Sequence, residues 1–427
     1  MFGAKSMPAV TPKTPEDWEA LWNEVTETFS PGAPVQERDL FAGRLEQLRS
    51  LLDAVHQRGR HAIVFGERGV GKTSITNILS LILRSPKREV IAVKVNADPR
   101  DSFSSIWKKV FKRMHYEVAR EGGQTATRTI AEDYAGELTP DDVQLELANF
   151  TANQVPLIVL DEFDRIINKD VTVLIADTVK ALSDYSVNAT LIIVGVAEDV
   201  TQLIEGHESI SRSLIQVKMP RMSQDELGEI IQSRYRKCGI KADEESFWKM
   251  TFLARGLPYY AHLLGMHSAR IAIKRRSINI SADCVEKALE NAVAELDQSI
   301  TENYLASIRS QRNEETLFAP VLLACALAKC DELGAFQQAA VTEPLNRILP
   351  GKSYKATTFA FHMNEFCEEE RRCILQKFGE PRNQRYRFSD PMMQPYVILK
   401  GLADGRINDS TAEIYANRRQ LKLSGDW

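Results

Sequence analysis

The sequence predicts an α/β domain built on a parallel sheet around a phosphate-binding loop. A helical domain follows, then a three-helix unit that ends in a β-hairpin. Three observations carry this reading. Five short β-branched runs (HAIVFG, EVIAVKVN, PLIVLD, TLIIVG and LIQVKM) alternate with helical stretches between residues 61 and 219. Strands covered on both faces read as such near-continuous apolar runs. The first run leads directly into GERGVGKTS, residues 66–74, which fits the GxxxxGK[ST] spacing of a loop that cradles phosphates. Beyond about Met222 the strand pattern gives way to helical periodicity.

Residues 1–35 read as an arm with one amphipathic piece, EDWEALWNEVTETF, in which Trp18, Leu21, Trp22 and Val25 recur at helical spacing. Its first residues lack the apolar core of a signal peptide. The phosphate-loop domain spans 36–221. Within it, DSFSSIWKKVFKRM sets Phe103, Ile106, Trp107, Val110, Phe111 and Met114 on one face, a core stripe. A helical domain, 222–300, opens on a capping box of Ser223 with Glu226. In the unit at 301–400, helical LFAPVLLACALAKC, VTEPLNRIL and YKATTFAFHMNEFCEE precede CILQKFG, EPRNQ and RYRFSD, read as strand, turn and strand. That order suggests a winged helix-turn-helix, and 401–427 is a polar tail.

The 427 residues, 44% hydrophobic and 26% charged, suit two to four globular domains. A net charge of −4 argues for no nucleic-acid partner at the level of the whole chain. No apolar run is long enough to span a bilayer. Six cysteines are too few for a disulfide framework in so long a chain and none forms a CxxC. Cys325, Cys330, Cys367, Cys373 and His362 would make at best an unspecific metal cluster. The expectation is a cytoplasmic chain, not bound to membrane, with Mg²⁺ as its metal.

The chemistry is concentrated in two motifs. In the first, Gly66, Gly69 and Gly71 let the backbone from Glu67, Arg68 and Val70 to Ser74 turn its N–H groups toward phosphate oxygens. Lys72 supplies a point charge to the β- and γ-phosphates, and Thr73 offers its hydroxyl to Mg²⁺. The second is PLIVLDEFD, where Asp161 ends a buried strand as a metal ligand. Glu162, next to it, can position and deprotonate an attacking water. Asp164 reads as a structural cap. The pair predicts ATP binding with Mg²⁺ and slow hydrolysis.

The segment LFAGRLEQLRSLL, upstream of the loop, resembles the box that precedes it in AAA+ ATPases of the origin-recognition and initiator branch. The signal-transducing STAND ATPases have a similar opening. With GERGVGKT, VLDEFD and TLIIVGVAED, the resemblance covers about residues 36–300. It implies an AAA+-type P-loop sheet followed by an α-helical lid, and it places Phe41, Gly43 and Arg44 beside the adenine. In those relatives the strand matching TLIIVGVAED ends on a polar sensor, whereas this chain has Glu198 and Asp199. The lid arginine of the AAA+ pattern is replaced in RGLPYY by Pro258 and Tyr259, nearer the STAND pattern, in which the proline packs on the adenine. Arg255 could still reach the phosphates. The segment HESISRSLIQVKMPRM resembles the stretch that carries a trans-acting arginine, which implies Arg212, with Arg221 behind it; a surface arginine is the competing reading.

On the wing, Lys377, Arg382, Arg385 and Arg387 interleave with Tyr386 and would suit DNA phosphates. Against this, residues 301–427 hold 17 basic and 16 acidic side chains, a net charge of only +1. Two principal readings stand. One is an AAA+ ATPase that self-assembles on duplex DNA when ATP binds. The other is a STAND-like signalling ATPase whose winged helix is a packing module and whose output is a protein partner. A third is a nucleotide-binding scaffold with negligible turnover.

Overall fold

The computed structural model describes residues 12–31, 43–83, 89–119, 125–151, 153–197, 200, 203–204, 210–295, 298–309, 317–351, 353–379 and 384–408. By its internal contacts the chain divides into two units. One comprises residues 34–67 and 71–220, the other 1–33, 68–70 and 221–427.

The first helix, α1 (Pro15–Thr28), belongs to the second unit. The 34–220 unit begins with α2 (Leu45–His56), β1 (His61–Gly66), α3 (Lys72–Ile82) and β2 (Glu89–Asn96). It continues with α4 (Phe103–Phe111), a hairpin of β3 (His115–Ala119) and β4 (Thr125–Thr129), and α5 (Pro140–Ala148). β5 (Gln154–Asp161), α6 (Lys169–Asp184), β6 (Thr190–Val196) and β7 (Leu214–Lys218) complete it. Five of these strands form one parallel sheet in the order β2-β5-β6-β1-β7.

The three inner strands are almost wholly buried, which is why their sequences are unbroken apolar runs. β2 lies at the edge and is buried at only some positions, so it tolerates Glu89 and Lys94. The stripe predicted from Phe103 to Met114 packs into the core with Ile158 and Val179. Burial holds His61, the first residue of β1, neutral, with its pKa near 3, and Nδ1 accepts the Leu191 N–H at 3.0 Å.

In the second unit α7 (Gln224–Lys237) starts at Ser223 with the predicted reciprocal capping bonds to Glu226. After it come β8 (Lys241–Ala242), α8 (Glu244–Leu253), α9 (Pro258–Lys274), β9 (Asn279–Ile280), α10 (Ala282–Glu295) and α11 (Gln298–Ile308). α1 packs on α9 and α7. Phe29, just past α1, is buried with its ring 5.5 Å from that of Tyr235. A glycine at 265 makes this possible, because a Cβ there would stand 2.6 Å from the Phe29 ring. Trp22 lies under Arg270 and Lys274, with the cations 5.1 and 5.5 Å from its ring centre.

The last elements are α12 (Phe318–Leu327), β10 (Phe336–Gln337), α13 (Thr342–Ile348) and α14 (Ala356–Glu365). A hairpin of β11 (Leu375–Phe378) and β12 (Arg385–Phe388) and the helix α15 (Met393–Ala403) follow. The small antiparallel sheet runs β10-β12-β11. The order is thus a helix, a short strand, two helices and a hairpin, closed by a last helix. No described helix is long and apolar enough to cross a membrane.

Candidate nucleotide site

β1 delivers the chain to the phosphate loop through Gly66, whose φ is 152°. A Cβ there would lie 2.3 Å from the Met219 carbonyl oxygen, so only glycine lets the chain beyond β7 pass this close. Gly69 and Gly71 take φ of 84° and 96°, in the left-handed region that L side chains rarely adopt. α3 begins at Lys72, with Gly71 as its N-cap, so the N–H groups of its first turn are left for an anion.

Lys72 is nearly buried. Its Nζ donates to the carbonyls of Gly66 at 2.9 Å and Glu67 at 2.7 Å, inside the curve of the loop. Thr73, one residue on, donates its hydroxyl to Asp161 Oδ2 at 2.8 Å. Asp161 ends β5, two strands from β1, and α3 packs on β1, β6 and β5. Its other oxygen accepts the Glu162 N–H at 2.9 Å, which fixes the plane of the carboxylate. A hydroxyl and a carboxylate brought together form an oxygen-only donor pair, the kind that suits a hard divalent cation.

Glu162 has φ 55°, an uncommon value for a residue with a side chain. The turn sends its carboxylate outward, half exposed, where it pairs with Arg165 at 2.8 Å. Asp164 is structural: its Oδ1 accepts the Val196 N–H at 2.8 Å and pins the end of β6.

The other predicted residues fare differently. Arg44 is buried in the left-handed region at the start of α2 and donates to the Pro220 carbonyl, after Gly43 at φ 67°. Arg68 is exposed at the tip of the loop, and Ser74 lies in the first turn of α3. Arg212 is exposed in the turn before β7, with no side-chain hydrogen bond to a described residue. Arg221 is engaged by Gln394 and by the Arg255 carbonyl at 3.4 Å. Arg255 Nη2 donates to the Ala328 carbonyl at 3.2 Å, and burial lowers its pKa. Pro258 is the first residue of α9. Phe41, Glu198, Asp199 and Arg382 lie outside the described residues.

On the β11–β12 hairpin, Arg385 pairs with Asp331 at 2.6 Å and Arg387 bonds Gln376 at 2.8 and 3.0 Å. Lys377 donates to Asn364 at 3.0 Å. Two residues escaped the sequence reading. Arg165 lies one residue beyond PLIVLDEFD, outside the motif. Lys94, which meets Asp161 at 2.9 Å, shows in the sequence as a charge inside an otherwise apolar strand.

A glycine-hinged loop between a buried strand and a helix, facing an acid at the end of the strand two places away, defines the core of a P-loop nucleoside triphosphatase. Within that class the chain belongs to the Novel STAND NTPase 1 family, whose sequence model matches residues 34–258. An ORC1-type DNA replication protein of Thermoplasma volcanium is 27% identical over 207 residues, 47% of this chain and 48% of that protein. The match therefore spans about half the relative's length. Among solved structures, the ORC2 protein of Aeropyrum pernix (ADPNP–ADP complexes) is similar at a TM-score of 0.48 with 13% identity, covering 91% of this chain and 98% of that one. Cdc6p of Pyrobaculum aerophilum is similar at 0.44 with 14% identity, covering 90% and 98%.

Proposed function

We propose that this chain binds ATP with Mg²⁺ at the 66–74 loop, hydrolyses it slowly and uses the difference between the two nucleotide states as a switch. The observation that carries the reading is the grouping of Lys72, Thr73 and Asp161 at one end of the sheet, with Glu162 next to the acid. Lys72 exchanges its two loop carbonyls for oxygens of the β- and γ-phosphates, trading like for like. Thr73 and Asp161 would hold Mg²⁺, which supplies charge neutralisation on the phosphates. Glu162 orients the attacking water and accepts its proton. To do so it leaves Arg165, which costs little for so exposed a pair. Phe41, Gly43, Arg44 and Pro258 remain the proposed base-side residues, and Arg212 the proposed arginine acting on a second copy.

For the output we infer association with duplex DNA through the winged-helix unit. The name of the Thermoplasma relative and the cations Lys377, Arg382, Arg385 and Arg387 support this reading. A protein partner is the second reading, and the bonds that already engage Lys377, Arg385 and Arg387 favour it. Gel filtration with and without a non-hydrolysable ATP analogue and duplex DNA tests both. A DNA output predicts co-elution that Arg382→Ala, Arg385→Ala and Arg387→Ala together abolish. Wild-type protein that binds no DNA at low salt with ATP leaves the protein-partner reading.

A further inference from the structure

One cation beside the loop belongs to neither motif. Lys94, on the edge strand β2, places Nζ 2.9 Å from Asp161 Oδ2. That is the same oxygen that accepts the Thr73 hydroxyl at 2.8 Å. Nζ also lies 3.3 Å from Asn77 Oδ1, on the first turns of α3. The Lys94 side chain is 30% exposed against 6% for Asp161, so the ammonium sits at the edge of the site while the carboxylate is sealed within it. Next to Lys94 a cavity of about 350 Å³ opens between α3 and the sheet, lined by Thr76, Asn77, Ser80 and Val159 among others.

A purely structural brace is a poor account of this pair. β2 and β5 are already joined by a parallel ladder that runs in register from Glu89–Gln154 to Asn96–Asp161. A part-exposed ion pair adds little to such a ladder. What the pair does control is the charge at Asp161, the carboxylate proposed above to hold the metal.

We propose that Lys94 is a built-in counter-cation for the metal seat. It neutralises Asp161 while no metal is held, and it withdraws toward Asn77 and the adjoining cavity when the carboxylate is needed. The proposal rests on the nucleotide reading given above. Two effects follow and both act in one direction. A bare Asp161 would repel a terminal phosphate; Lys94 cancels that repulsion, so nucleotide is retained without a divalent cation. The ammonium also disfavours a second cation at the same oxygen. Together they compress the ratio of nucleotide affinity with Mg²⁺ to that without it. Charges a few ångström apart near a protein surface interact strongly enough to change an equilibrium by well over tenfold, and solvent screening of Lys94 reduces this.

The test is titration of a fluorescent ATP analogue into the full chain, in EDTA and in excess Mg²⁺. Wild type, Lys94→Met and Lys94→Gln are compared, each checked for native circular dichroism. In the variants the ratio of Kd in EDTA to Kd in Mg²⁺ rises tenfold or more, chiefly through weaker binding in EDTA. If Lys94→Met does not fold, Lys94→Gln decides. A ratio within twofold of wild type in a folded variant overturns the proposal and leaves the ATP site standing. Wild type that binds no nucleotide in either buffer overturns both, and is recognisable because the variants then have nothing to alter.

Discussion

Replacing Lys72 with alanine separates what the phosphate loop does for the fold from what it does for nucleotide. In the structure Nζ is nearly enclosed and donates at 2.9 and 2.7 Å to the carbonyls of Gly66 and Glu67. Losing those bonds costs about 1–3 kcal/mol, because the two carbonyls are only partly compensated by water. For a domain of this size that lowers Tm by a few degrees, at about 2–4 °C per kcal/mol. The loss to nucleotide is larger. A unit charge about 4 Å from a phosphate charge, at an effective dielectric of about 20, contributes about 4 kcal/mol, or about 10³-fold in affinity. The loop N–H groups remain, so about 10²- to 10³-fold weaker binding is expected. Fluorescent-ATP titration at low salt, beside a thermal melt, reads both quantities. Lys72→Arg keeps the charge but presents a planar fork where a compact ammonium fits, and its affinity should fall between the two. An alanine variant that is folded and binds within threefold of wild type refutes the assignment of the 66–74 loop.

Three further outcomes are expected. Glu162→Gln keeps the shape of the side chain but cannot take a proton, so turnover should fall about 10²-fold or more with nucleotide affinity unchanged; a phosphate-release assay at wild-type rate would place the base elsewhere. Thr73→Val removes the hydroxyl that faces Asp161, so affinity in Mg²⁺ should drop to the level measured in EDTA while the EDTA value stays within threefold; an undiminished Mg²⁺ effect argues against Thr73 as a metal ligand. Phe29→Ala empties the space over Gly265 and should destabilise the second unit by about 3–5 kcal/mol, read as a lower denaturation midpoint; a change under about 1 kcal/mol would mean that α1 is only loosely held.

The central sheet was legible because its inner strands are covered on both faces, which leaves only apolar β-branched residues to write them. The phosphate loop was legible for a related reason: Gly66, Gly69 and Gly71 occupy backbone states that almost no other residue accepts. The β3–β4 hairpin was not legible. HYEVA and TATRT carry too few apolar residues to show a buried face, and the packing of Tyr116 against the core appears only once the strands are paired. Lys94 was passed over because a lysine inside EVIAVKVN has no visible role until α3 and β5 are seen beside it. The hairpin cations read as free phosphate contacts, and what the pattern could not give was their neighbours: Asp331 lies 54 residues before Arg385.

The seating of Phe29 against Gly265 has a consequence for synthesis. α1 is made before any other described element of the chain, yet the helix that covers it, α9, is translated more than two hundred residues later. At about 5–20 residues per second the delay is roughly 10–50 s. Through that interval the 34–220 unit can emerge and close its own sheet, while Leu21, Val25 and Phe29 wait without their partners. The nucleotide unit therefore matures as an insert between two halves of its neighbour, and that neighbour becomes whole only when the earliest helix is recaptured. Aggregation during expression should consequently be governed by the apolar face of α1 and relieved by chaperones that hold short amphipathic helices.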